Sequence, residues 1–253
     1  MVYIFMQIKY FSSLKEFTVL VFDARGVGLT GGDWELYNTE QWAQDFLDLL
    51  DYLNWTSNIH ACGYSAGGCV LLKALLKDIG SFQSASLICT TAGSFYRPFT
   101  GAYTLLSNIF YEPKVQIARL IRINYTETWL KARPDDDIQF ETNYDKVVAK
   151  IIERNQRSRS QKLGGMISQA IASLRHWVTN GELDQIRQSG LPITVITNTW
   201  DNFVHTGDSY HLRDKLQPKK FIVFENTGHV VPTARYNELN ETLHSFWIEN
   251  NHE

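Results

Sequence analysis

Ser65 stands in Gly63-Tyr64-Ser65-Ala66-Gly67, between the apolar run NIHACGY (58–64) and the helix-like run CVLLKALL. A strand that turns into a helix through G-x-S-x-G bends the serine backbone sharply, and flanking glycines remove the Cβ clashes that would block the bend. The hydroxyl is then displayed at the carboxyl end of the strand. There the amide of Ala66 and the positive end of the new helix can stabilise an oxyanion. The plain alternative is a glycine-rich turn in which serine caps a helix. A phosphate-binding loop is disfavoured, because no Gly-Lys-Ser/Thr follows.

A serine hydroxyl is a weak nucleophile at neutral pH, so a base must take its proton and an acid must orient that base. The order expected after this kind of turn is serine, then Asp or Glu, then His. PITVITNTWDNFVH sets Asp201 just beyond one strand-like run, and FIVFENTGHVVP sets His229 after Gly228 beyond another. Asp208 is the second candidate for the acid. His205 is the rival base and reads better as a wall or rim residue of a pocket. His60, His176, His211, His244 and His252 do not follow a strand as His229 does.

The elements that must position these groups read as strands at FTVLVFD (17–23), NIHACGY (58–64), SASLICTT (84–91), PITVITN (192–198) and KKFIVFEN (219–226). Between the first two, Trp42, Phe46, Leu49, Leu50 and Leu53 fall at helical spacing behind Asn38, which with Gln41 resembles a capping box. Strands alternating with helices imply a mostly parallel sheet covered on both faces. From Phe95 to Gly190 the apolar spacing is helical throughout, with one stripe at Val147, Val148, Ile151 and Ile152. A second runs through Met166, Ile167, Ala170, Ile171, Leu174 and Trp177. Helices inserted between two strands of a parallel sheet sit over the strands' carboxyl ends, as a lid would; packing against the flank of the sheet is the other reading. The division expected is 1–94 and 191–253 as one core and 95–190 as a helical cap. Tyr64, with Phe95, Tyr96, Phe99 and Tyr103 at the entrance of the insert, suits an apolar pocket, and core packing accounts for the aromatics of the insert equally well.

The chain has 253 residues, 44% of them hydrophobic, which suits a soluble globular protein. Its net charge of −3 argues against nucleic acid as a partner, and RNQRSRSQK (154–162) reads as a solvated face. Cys62, Cys69 and Cys89 lie in apolar runs and behave as small buried hydrophobes, with no CxxC spacing for zinc or redox chemistry. That pattern, and a first segment without a basic leader or cleavage site, point to the cytoplasm. No cofactor, metal or membrane span is expected.

These residues together resemble the α/β-hydrolase family. FDARGVG (22–28) is similar to the family's stretch after its fourth strand, and GYSAGG to its nucleophile elbow. NTWDNFVH is similar to the acid loop, and NTGHVVPTARYNELNETLHSFW to the histidine loop with its closing helix. The resemblance implies Ser65 as nucleophile, Asp201 as orienting acid, His229 as general base, and a small acyl or apolar substrate cleaved as an ester through an acyl-enzyme. It also implies strands and a His-Gly loop, the source of a second oxyanion amide, ahead of FTVLVFDARG. Residues 1–18 contain neither His nor Gly, and Ile4, Ile8, Phe11 and Leu14 fall at helical spacing. By the resemblance this is the first helix, and the strand before it, which belongs between 19–22 and 59–62, is absent. The fold expected is therefore an N-terminally incomplete α/β hydrolase. A rearranged sheet, or a binding protein that keeps the hydrolase shape without turnover, are the other readings.

Overall fold

Runs of buried β-branched and apolar residues form four parallel strands in a computed structural model, which describes residues 4–32, 36–93, 98–157 and 163–251. The chain begins with α1 (Phe5–Ser13) and α2 (Thr39–Tyr52), continues through β1 (Ile59–Tyr64), α3 (Ala66–Lys77) and β2 (Phe82–Ile88), and then turns helical. That helical stretch comprises α4 (Phe99–Ser107), α5 (Pro113–Asn124), α6 (Glu127–Lys131), α7 (Asn143–Arg157), α8 (Leu163–Leu174) and α9 (Asn180–Gln188). It closes with β3 (Ile193–Asn198), α10 (Thr206–Leu216), β4 (Lys220–Phe224), α11 (Val231–Ala234) and α12 (Tyr236–Glu249). The sheet order is β1-β2-β3-β4, every pair parallel.

Alternate side chains of the strands feed two separate cores. Ile59, Ala61, Ala85, Leu87, Ile193 and Val195 pack with residues of α2, α3, α9 and α10, whereas Ile88, Ile196 and Phe224 pack with Phe11 of α1 and the apolar face of α12. The predicted cap at the start of α2 forms as a reciprocal capping box between Asn38 and Gln41. Lys73 of α3, only 7% exposed, is paired with Glu40 at 2.9 Å and Glu182 at 3.7 Å, tying α2 and α9 to α3.

Three expectations are corrected. The segment 17–23 is not a strand. Its residues alternate as a strand's would, Phe17 and Val19 against the α1/α12 core and Leu20 against the other, with Phe22 stacked on Phe46 at 5.6 Å. Side-chain alternation needs only two apolar faces, whereas a strand also needs a main-chain neighbour. Thr18–Phe22 make no backbone hydrogen bond among the described residues. Between this segment and the outer edge of β1 lies a cavity of about 990 Å³, whose lining includes Phe11, Trp247, Ser65 and Ala66. Cys62 lines it and is exposed, unlike the buried Cys69 and Cys89.

The second stripe of the helical stretch also behaves differently from its spacing. Met166, Ile167, Leu174 and Trp177 are exposed, and the buried face of α8 is the small-residue one, including Ser168 and Ala172. Small side chains let α8 approach closely: Ala172 joins Tyr37 and Trp42, and the Tyr37 hydroxyl donates to the Gly165 carbonyl. Phe95, Tyr96 and part of the basic run 154–162 lie outside the described residues.

Hydrogen exchange read residue by residue tests the unpaired segment. The amides of 18–22 are expected to exchange at least a hundredfold faster than those of Val195 to Thr197 in β3; equal protection would contradict the absence of pairing.

Candidate active site

The strand ends converge on Ser65. Its backbone, at φ 54° and ψ −120°, occupies a region that a non-glycine residue enters only when its surroundings force it. Two contacts do so: the Ser65 amide donates to the Ile88 carbonyl at 2.8 Å, and the Thr90 hydroxyl donates to the Ser65 carbonyl at 2.7 Å. Ala66 opens α3, so its amide is among those a helix start leaves without an intrahelical acceptor.

The structure brings the three residues singled out above together. His229 Nε2 lies 3.0 Å from Ser65 Oγ, and His229 Nδ1 lies 2.7 Å from Asp201 Oδ2. A carboxylate only accepts, so Nδ1 carries the ring proton and Nε2 presents its lone pair to the serine hydroxyl. The Asp201 side chain is 2% exposed, and its other oxygen accepts from the amides of Phe203 at 2.8 Å and Val204 at 2.9 Å. Burial pushes the Asp201 carboxyl up, but the His229 imidazole and the two amides outweigh it and hold it below the ordinary carboxylate range. The Asp201 carboxylate is thus kept charged behind the His229 ring.

The loops carrying Asp201 and His229 are fastened to each other. Thr199 N donates to Phe224 O, Trp200 N to Thr227 O, and Asn226 N to Thr199 Oγ1. The end of α5 runs against the histidine loop so closely that a Cβ on Gly228 would meet Asn124 O at 2.1 Å. The rings of Tyr64 and Phe203 each lie 5.2 Å from His229, and the Tyr64 hydroxyl donates to the His229 carbonyl.

Other expected site residues fall elsewhere. Phe99 is 79% exposed and stacks on Tyr103, and neither it nor His205 lines the cavity that reaches Ser65. His205 accepts from the Gly207 amide and caps α10, a task its position just before the helix favours. Asp208 lies in the first turn of α10. Of the elbow glycines, Gly63 is required, since a Cβ there would meet Gly67 O at 2.5 Å, but a Cβ on Gly67 would meet nothing within 4 Å. The second required glycine is Gly68, where a Cβ would meet the Thr90 side chain at 2.5 Å. The residues missed from sequence are Gly68, Thr90, Phe203 and Asn198, whose one available signal was a polar group ending an otherwise apolar strand. Among the described residues no group of three His, Cys, Asp or Glu side chains could hold a metal ion, and no helix is long and apolar enough to cross a membrane.

A family model described as alpha/beta hydrolase fold matches residues 1–232. A thermophilic esterase from Thermogutta terrifontis superposes with a TM-score of 0.76 at 18% identity, over 99% of this chain and 86% of that one. A meta-cleavage product hydrolase from Pseudomonas fluorescens IP01 gives 0.74 at 16%, over 97% and 84%. An enol-lactonase from Burkholderia xenovorans LB400 gives 0.67 at 18%, over 88% and 78%. No curated protein matches the sequence. At these identities the likeness is one of fold: a parallel sheet flanked by helices, as in the α/β hydrolases.

The glycine contacts predict an ordered set of stabilities. Gly63→Ala and Gly68→Ala are each expected to cost about 1–3 kcal/mol through overpacking, and Gly67→Ala to fall within about 0.5 kcal/mol of the parent. Denaturant titration measures all three, and a Gly67→Ala loss as large as that of Gly63→Ala contradicts the assignment.

Proposed function

We propose that this chain, which belongs to the alpha/beta hydrolase family, is a serine hydrolase that cleaves an ester or related acyl compound through an acyl-enzyme. The observation that carries this reading is the unbroken hydrogen-bond chain from Ser65 Oγ through His229 to Asp201. In the first half-reaction Ser65 Oγ attacks the acyl carbon while its proton passes to His229 Nε2. Asp201 stabilises the imidazolium so formed without taking its proton. The oxyanion is met by the Ala66 amide at the start of α3. As the carbonyl re-forms, the bond to the leaving alcohol breaks and His229 returns the proton to it. Water then repeats the sequence on the acyl-enzyme: it gives a proton to His229 as it attacks, and the acid is released when Ser65 regains its hydrogen. No cofactor takes part in these steps.

An apolar acyl group suits the surroundings. Tyr64 and Phe203 flank the imidazole, and the cavity beside Ser65 is walled by side chains such as Val21, Trp42 and Val70. The helical insertion, 95–190 by its sequence, packs against the loop that carries Asp201: a Cβ on Gly101 of α4 would meet Asn202 O at 2.1 Å, and Asn202 Nδ2 donates to Ile123 O of α5. The insert thus bears directly on the acid loop and is the natural place for substrate preference. The free thiols of the chain fit a reducing compartment, the cytoplasm.

An active-site phosphonylating probe tests the reading. A fluorophosphonate is expected to label the folded wild type at Ser65, Ser65→Ala to abolish labelling, and Asp201→Asn and His229→Ala to slow it by about 10³–10⁴. A folded wild type that stays unlabelled would instead make this a binding protein with a hydrolase shape.

A further inference from the structure

Asn198 ends β3 at 0% exposure, three residues before the acid, and its role is fixed by its contacts. The side-chain amide Nδ2 donates to Asp201 Oδ2 at 3.1 Å and to Cys89 Sγ at 3.1 Å. Its carbonyl Oδ1 accepts from the Trp200 amide at 3.2 Å. Both hydrogens and the acceptor are used, and exchanging the amide's O and N would set two acceptors face to face at Asp201. The orientation is therefore determined. The main chain is held too, since the Thr206 hydroxyl donates to Asn198 O at 3.1 Å. With this contact the Asp201 carboxylate accepts four hydrogen bonds, two at each oxygen, and Asn198 shares Oδ2 with His229.

We propose that Asn198 is a positioning residue of this site: it locks the Asp201 carboxylate in the orientation that meets His229 and limits the strength with which that carboxylate draws on the imidazole proton. The inference rests on the hydrolase reading above and extends it to a residue that touches no reacting atom. A carboxylate with one donor fewer is the more basic partner. It also gains freedom to rotate away from Nδ1, which lowers the fraction of time the base is aligned. Among the described residues, the titratable side chains seen in contact with the pair or with Asn198 include Tyr64 at the end of β1 and Cys89 just beyond β2. Burial pushes the Cys89 thiol up, and the Asp201 charge pushes it further, so it remains a neutral acceptor. The group whose loss changes the field on Asp201 without changing its net charge is thus the Asn198 amide.

The test is the second-order rate of Ser65 labelling by a fluorophosphonate, followed from pH 5 to 9 in wild type, Asn198→Leu and Asn198→Ala. Asn198→Ala removes the same donor without placing a branched side chain beside the carboxylate, which guards against a folding defect in the leucine variant; thermal unfolding checks both. In each, the plateau rate is expected to fall about tenfold and the acid limb of the profile to move up by about half a unit to one unit. A uniform fall with the limb unmoved, or no change at all, overturns the positioning role while leaving the hydrolase reading intact. A wild type that fails to label overturns both.

Discussion

The structure depends on a row of main-chain hydrogen bonds across the carboxyl ends of the strands. Ser65 N meets Ile88 O, Cys89 N meets Ile196 O, and Thr199 N meets Phe224 O. Each continues the parallel ladder one step beyond the strands themselves, so residues far apart in sequence inherit the lateral spacing of the sheet, about 4.7–4.9 Å per strand. Ser65 follows the first strand, Asp201 the third and His229 the fourth. Their separations are set by backbone geometry before any side-chain preference acts.

On that frame the local chemistry is over-determined in the way functional strain requires. Ser65 is held at positive φ by bonds to both of its main-chain polar groups, and the close approach of α3 to β1 and Thr90 excludes any side chain at Gly63 and Gly68. The Asp201 carboxylate receives four donors, and the His229 ring lies 5.2 Å from each of two aromatic rings. Burial would favour a neutral carboxyl; the donors and the imidazole reverse that preference and keep Asp201 charged.

Much of this was legible in the residues. That Ser65, Asp201 and His229 would meet was legible because each ends or follows a run whose composition marks a strand, in the order expected after a G-x-S-x-G turn. What escaped was information that only a neighbour supplies. The alternation in 17–23 is real, yet no adjacent main chain completes a ladder, and a cavity lies beside β1 instead. The apolar spacing of α8 suggested a buried stripe, but Gly164, Gly165, Ser168 and Ala172 allow a closer approach on the other face. Gly67 drew attention by its place in the pattern although Gly68 makes the contact. The interval between Asn198 and Asp201 carries no chemistry until the turn after β3 folds one amide back onto one carboxylate.

The central claim is that Asp201 and His229 act on Ser65 as one unit. A double-mutant cycle on the fluorophosphonate labelling rate measures this directly, with Asp201→Ala, His229→Ala and the double variant compared at neutral pH. Groups that work only through each other lose their effect together, so the double variant is predicted to react as slowly as His229→Ala alone. Losses that multiply, with the double variant slower by the product of the two single effects, would contradict the account.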